Sequence, residues 1–159
     1  MIQLRPFRRA DLDALYQIDQ VCFSAGIAYS KSELRYFLQH PKSFTIVAEN
    51  DSSGIIGFCI VQESMQEGKR LGQVTTIDVL PAGRKQGTGR ALMQAVEAHF
   101  QEKAIGYMRL EVAVDNLAAQ AFYRKQGFVP VGRIAGYYLG RLDAFVMQKQ
   151  LPSTNSDSI

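Results

Sequence analysis

Long apolar runs are missing from this chain. No stretch approaches the ~20 consecutive apolar residues that a membrane-spanning helix needs, and no charged-then-apolar leader opens it. A cytoplasmic location and no membrane partner are the expectations that follow. Cysteine is scarce as well: Cys22 and Cys59 stand far apart, each inside an apolar segment, and form no C-x-x-C. Both read as reduced, buried small hydrophobes, and no metal site is expected. Charge of one sign is lacking too. The net charge of +3 is too weak to argue for a nucleic-acid partner. No internal repeat or linker divides the 159 residues, and 47% hydrophobic with 21% charged residues is the composition of one soluble globular domain. That domain is expected over residues 1–151, with residues 152–159, rich in Ser, Asn and Asp, as a disordered tail.

What is present centres on Val74 to Phe100. The β-branched run Val74-Thr75-Thr76-Ile77-Asp78-Val79 favours a strand. Pro81 stops it, and Gly83, Gly87 and Gly89 loosen the turn that follows. From Arg90, Leu92, Val96 and Phe100 recur at helical spacing. A helix start leaves backbone N–H groups unpaired at the positive end of its dipole, and Arg84, Lys85 and Arg90 add full charges there. The turn reads as an anion cradle, for a pyrophosphate most simply; a turn built for packing alone is the alternative. It lacks the G-x-x-x-x-G-K-S/T of a nucleotide-binding loop and the third glycine of G-x-G-x-x-G.

Elsewhere, Ile2–Arg5 alternates as a short strand, and Ala10–Phe23 and a segment capped by Ser30 with Glu33 read as helices. Phe44–Glu49 and Ile55–Val61 form a hairpin, and the polar run Gln62–Arg70 reads as a loose loop. Tyr107–Val114 is a strand parallel to Val74–Val79 by the crossover rule. A helix follows from Leu117 to Gln126, with Ala118, Ala121 and Phe122 as its buried stripe and Asn116, Gln120 and Tyr123 opposite. Phe128–Ile134 and Asp143–Gln150 are the last strands. Tyr123 lies either at the surface or in a cleft. Glu111 is either a polar residue on a wetter strand face or a proton acceptor.

Arg84-Lys85-Gln86-Gly87-Thr88-Gly89 resembles the Arg/Gln-x-x-Gly-x-Gly/Ala loop of the GNAT N-acetyltransferase superfamily. The likeness extends back to Ile77-Asp78-Val79-Leu80-Pro81, forward to Asn116-x6-Tyr123, and covers Ile2 to Leu151 overall. It implies an α/β (α+β) domain with a mixed, mostly antiparallel twisted sheet of about six to seven strands, about four helices, and a splay between two central parallel strands. It also implies acetyl-CoA as donor, no metal, and direct transfer to an amine in a ternary complex. By the same resemblance, Ile77, Asp78 and Val79 meet the pantetheine through their backbone, with the Val79 N–H facing the thioester oxygen. Arg84, Lys85, Gln86, Gly87, Thr88, Gly89 and Arg90 hold the pyrophosphate. Asn116 and Ala119 meet the coenzyme arm, and Tyr123 donates a proton to the leaving thiolate.

A narrower resemblance is to the ribosomal-protein alanine and N-terminal peptide acetyltransferases. It makes Glu111, in its Leu-Glu-Val context, the general base. It places Tyr137 and Tyr138 over the acceptor peptide, with Phe23, Ile27 and Tyr29 lining its pocket. Ser24-Ala25-Gly26-Ile27 departs from that branch's proline-containing turn. A protein or peptide N-terminus is therefore the expected acceptor. A small amine (polyamine, amino acid or aminoglycoside) is the alternative, and a non-catalytic acyl-CoA-binding module a further one; a monomer or weak dimer is expected.

Overall fold

The computed structural model of the protein describes residues 1–152. Among the described residues, seven strands and four α-helices follow one another as β1 (Ile2–Pro6), α1 (Leu12–Cys22), α2 (Lys31–Gln39), β2 (Ser43–Asn50), β3 (Gly54–Gln66), β4 (Lys69–Val79), α3 (Thr88–Glu102), β5 (Tyr107–Ala113), α4 (Leu117–Lys125), β6 (Val129–Tyr138) and β7 (Leu142–Gln150). The strands form one mixed sheet in the order β1-β2-β3-β4-β5-β7-β6. This is the α/β sheet that the sequence pattern predicts. The chain groups into two compact units, one of Met1–Gln62 and Thr75–Val96, the other of Glu63–Val74 and the described residues from Glu97 onward.

In the first unit, β1 and β2 pair antiparallel from Ile2↔Asn50 to Pro6↔Ile46, and β2 pairs antiparallel with β3. Leu15, Ile18 and Leu34 from the two helices pack on Val47, Phe58 and Ile60 from the strands. Each such buried side chain contributes about 1.5–3 kcal/mol of transfer free energy. The expected cap of α2 is present: Ser30 Oγ accepts from the Glu33 amide at 3.1 Å, and Glu33 Oε1 accepts from the Ser30 amide at 2.9 Å.

In the second unit the expected loop over Gln62–Arg70 is not a loop. β3 runs on to Gln66 and β4 begins at Lys69, joined by Glu67 and Gly68 at φ 50° and 77°. Two successive positive φ angles make a type I′ hairpin, whose twist matches the strands it joins. The polar side chains there are those of a wet strand face. β4 and β5 pair in parallel at Gly72↔Met108 and Gln73↔Arg109, and among the described residues the ladder goes no further. The expected parallel pair is thus real but short. β5 then pairs antiparallel with β7 over seven positions, Tyr107↔Gln150 to Ala113↔Ala144. Phe100, Met108, Leu110, Phe128 and Met147 form this unit's core. Gly72 lies so close to Phe100 that a Cβ would meet the ring at 2.4 Å.

The buried face of α4 differs from the expected one. Ala118 and Ala121 are exposed, whereas Gln120 is buried at 5% exposure. Its amide donates to the carbonyls of Ala113 and Val114, both at 3.0 Å. A hydrogen-bonded amide loses little on burial, so the polar residue takes the inner face. β6 also reaches Tyr138, four residues beyond the expected Ile134. The expected tail falls, after Pro152, outside the described residues.

Candidate functional site

The first unit carries the strand–turn–helix segment. Ile77, Asp78 and Val79 end β4; Ile77 and Val79 are half-buried and Asp78 is buried. Arg84 folds back over the strand end, its Nε donating to the Val79 carbonyl at 2.8 Å. Gln86 Nε2 donates to the Ala82 carbonyl at 2.9 Å, and the buried Thr88 hydroxyl donates to the Gly83 carbonyl at 2.9 Å. These bonds fix the loop without using its amides. Lys85 and Gly87 adopt φ 65° and 80°, turning the backbone sharply before α3. A Cβ on Gly87 would meet nothing within 4 Å, so the space above the loop is open. The Ala91 amide donates to the Gly87 carbonyl at 2.9 Å and closes the first helical turn. The preceding amides of Thr88, Gly89 and Arg90 have no earlier turn to bond to and point along the helix axis. Lys85 and Arg90 are exposed beside them. Such a loop can hold a diphosphate through backbone donors and the helix dipole.

The expected acceptor-side residues of this unit follow α1. Phe23 is the C-cap of α1, and Ile27 donates its amide to the Ser24 carbonyl at 3.0 Å. Tyr29 is tied at two points: its amide donates to Asp19 Oδ2 at 2.7 Å, and its hydroxyl to the Thr75 carbonyl at 3.3 Å. Its ring meets Phe37 edge-on at 5.0 Å. An open cavity of about 480 Å3 also lies in this unit, near Met1, Asp51 and Ser53. Of the expected site residues only Gln86 borders it.

The second unit carries the candidate chemistry. Glu111 on β5 is largely buried, with 12% of its side chain exposed. Its Oε1 accepts from Gln73 Nε2 at 2.8 Å and its Oε2 from Arg109 Nε at 3.0 Å. Gln66 Oε1 in turn accepts from Arg109 at 3.0 Å. The Tyr137 hydroxyl donates to Glu111 Oε1 at the long distance of 3.4 Å. Tyr137 packs edge-on against Tyr138 at 4.9 Å. Burial, then the Glu111 charge, raises the Tyr137 hydroxyl above its ordinary value; burial, then Tyr137, raises that of Tyr138. Both phenols stay neutral hydrogen-bond donors at neutral pH.

Asn116 has a structural role in addition to any binding one. It is the N-cap of α4, its Oδ1 accepting from the Ala119 amide at 3.1 Å. Tyr123, two turns further on, is half-buried, with its ring edge-on to Phe122 at 5.5 Å and to Phe128 at 5.9 Å.

Glu111 and Tyr137 are thus brought together. The sequence reading missed Gln73, Arg109 and Gln66 around the same carboxylate. Arg109 had a signal, since residues two apart on a strand share a face. Gln73 had none, being 38 positions away from Glu111. Among the described residues no group of three His, Cys, Asp or Glu side chains is placed to hold a metal ion.

Comparison with known proteins agrees with this architecture. Residues 12–128 match the model of the acetyltransferase (GNAT) family. N-alpha-acetyltransferase 30 of Schizosaccharomyces pombe is 32% identical over 146 residues, which cover 91% of this chain and 95% of that protein. A Bacillus subtilis protein provisionally named a ribosomal protein bS18-alanine N-acetyltransferase is 30% identical, covering 91% and 92%. The crystal structure of the ribosomal-protein-S18-alanine N-acetyltransferase from Escherichia coli superposes with a TM-score of 0.81, covering 100% of this chain and 99% of that one. At 23% identity that last likeness concerns the fold.

Proposed function

The chain belongs to the acetyltransferase (GNAT) family, acetyl-CoA-dependent enzymes that acylate amines, and we propose that its acceptor is the N-terminal α-amine of a protein or peptide. The donor is acetyl-CoA. The loop Arg84–Arg90 takes the pyrophosphate on its amides, with Lys85 and Arg90 adding charge. The backbone of Ile77, Asp78 and Val79 meets the pantetheine, and the remaining amide donors of Asn116, next to Ala119, meet the coenzyme arm. Glu111 accepts the proton that the amine loses, directly or through water, and Tyr123 gives one to the departing thiolate. Transfer is direct: the amine nitrogen forms the new bond to the acetyl carbon as the carbon–sulfur bond breaks. Holding the two reactants together supplies much of the rate. Phe23, Ile27, Tyr29, Tyr137 and Tyr138 receive the acceptor.

The observation that carries the choice of acceptor is the Glu111 carboxylate, held by Gln73 and Arg109. The two donors fix both of its oxygens, so a single carboxylate stands placed as the proton acceptor. A peptide α-amine, with a pKa near 7.7–8, needs little help, whereas a lysine ε-amine near 10.4 costs roughly 3.5 kcal/mol more to deprotonate at neutral pH. The homology to N-alpha-acetyltransferases supports the same reading.

The test is a thiol-release assay with acetyl-CoA, a panel of peptides differing in first residue, and small amines (a polyamine, free amino acids, an aminoglycoside) as competitors. Preferential turnover of peptides with a free N-terminus is expected. Release driven by a small amine, with every peptide at background, overturns the proposal.

A further inference from the structure

Asp19 on α1 and Asp78 on β4 are buried, 0% and 1% exposed, and their side chains have no part in the chemistry above. Each has one oxygen engaged. Asp19 Oδ2 accepts from the Tyr29 amide at 2.7 Å, and Asp78 Oδ1 accepts from the Thr76 hydroxyl. The second oxygens, Asp19 Oδ1 and Asp78 Oδ2, are buried with no donor from any other group. The two carboxyl groups are themselves within hydrogen-bonding reach of one another. Two ionised carboxylates buried side by side repel at high cost. A single proton between them satisfies both orphaned oxygens at once.

We infer that Asp19 and Asp78 share one proton, and that this pair is a positioning device fastening the Tyr29 segment to β4. The pair's other contacts locate what it fastens. Asp19 holds the Tyr29 backbone, and the Tyr29 hydroxyl reaches the Thr75 carbonyl of the same strand as Asp78. The segment is clamped at both ends of one residue. That Tyr29 faces the acceptor rests on the peptide reading above; the shared proton does not.

The surrounding groups favour the protonated pair. Burial first, then Asp19, holds Asp78 well above the ordinary carboxyl range, while Thr76 and Arg84 act the other way. From α1, the Cys22 thiol is pushed up to about 11, chiefly by burial and then by the Asp78 charge. From β3, Cys59 is pushed up by the same two causes. Both thiols are therefore neutral and add no further negative charge beside the pair. The cation facing the pair is the Arg84 guanidinium, on the loop after β4, which is also engaged with the Val79 carbonyl.

The sign of the pH dependence follows. A carboxyl group whose folded value is raised contributes stability that is complete below its unfolded value, about 3.9, and is lost as pH rises through the folded value. Asp78→Asn keeps the shape, and its amide donates to Asp19 at every pH.

The experiment compares thermal unfolding of the full chain and of Asp78→Asn from about pH 4 to about pH 9, with the Tyr29 backbone amide followed by heteronuclear NMR in the same samples. The wild-type Tm is expected to fall relative to the variant as pH rises. In the wild type the Tyr29 amide resonance moves with its midpoint where the Tm difference levels off, and in the variant it stays in place. Parallel Tm curves overturn the shared proton. A Tyr29 amide that ignores a titration seen in Tm overturns the positioning role. Should Asp78→Asn not fold, Asp19→Asn, whose amide donates to Asp78 instead, replaces it with the same expectations. Neither readout requires turnover, so failure of the peptide assay and failure of the pair are told apart.

Discussion

Glu111 Oε1 and Gln73 Nε2 lie 2.8 Å apart although 38 residues separate them in the chain. The contact exists because β4 and β5 run parallel and pair at Gln73↔Arg109, two residues before Glu111. With Arg109 on the other carboxylate oxygen, both oxygens of the proposed base are fixed before an acceptor arrives. A base so held has its position set by the sheet rather than by its own rotamers.

Replacing Glu111 by Gln is expected to lower kcat about 100-fold, the lower end of what a positioned proton acceptor supplies. KM for acetyl-CoA stays unchanged. Arg109→Met is expected to cost about 10-fold on its own and nothing further in the Glu111→Gln background, because it acts through the same carboxylate. Steady-state kinetics of the four proteins checks both statements, and additive losses would show that Arg109 acts elsewhere.

Tyr123→Phe keeps the ring that packs against Phe122 and Phe128 and deletes only the hydroxyl. The acetylation rate falls about 10-fold or more, as loss of a general acid requires. An unchanged rate in a single-turnover assay contradicts the proposed proton donor.

Gly87 at φ 80° has open space where a Cβ would go, so Gly87→Ala tests the backbone angle alone. Placing a side chain in that region costs about 1–2 kcal/mol. Since 1.4 kcal/mol is a tenfold change in a binding constant, coenzyme A is expected to bind roughly 10-fold more weakly. Isothermal titration with coenzyme A measures this, and unchanged affinity places the pyrophosphate elsewhere.

Gln120→Leu removes the donor to the Val114 carbonyl, while the Ala113 carbonyl keeps the Asn116 amide at 3.0 Å. One orphaned, partly buried acceptor costs about 1–2 kcal/mol. Chemical denaturation should show that loss with little change in coenzyme affinity.

The elements read most clearly from sequence are those specified by local chemistry. The Ser30–Glu33 cap and the Gly87 turn needed only neighbours within a few positions, and both stand as expected. The misreadings share a cause, a polar run taken for exposure. Gln62–Arg70 is polar yet is two strand ends joined through Glu67 and Gly68, and Gln120 is polar yet buried because two strand-end carbonyls need its amide. Groups assembled across long separations were beyond local reading: Gln73 with Glu111, and Asp19 with Asp78.

The most direct measurement is tandem mass spectrometry of a peptide carrying both a free N-terminus and an internal lysine, after incubation with the enzyme and acetyl-CoA. An acetyl group on the α-nitrogen, absent with Glu111→Gln, is the expected result. Acetylation confined to the lysine, or no acetylation with any first residue, would contradict it.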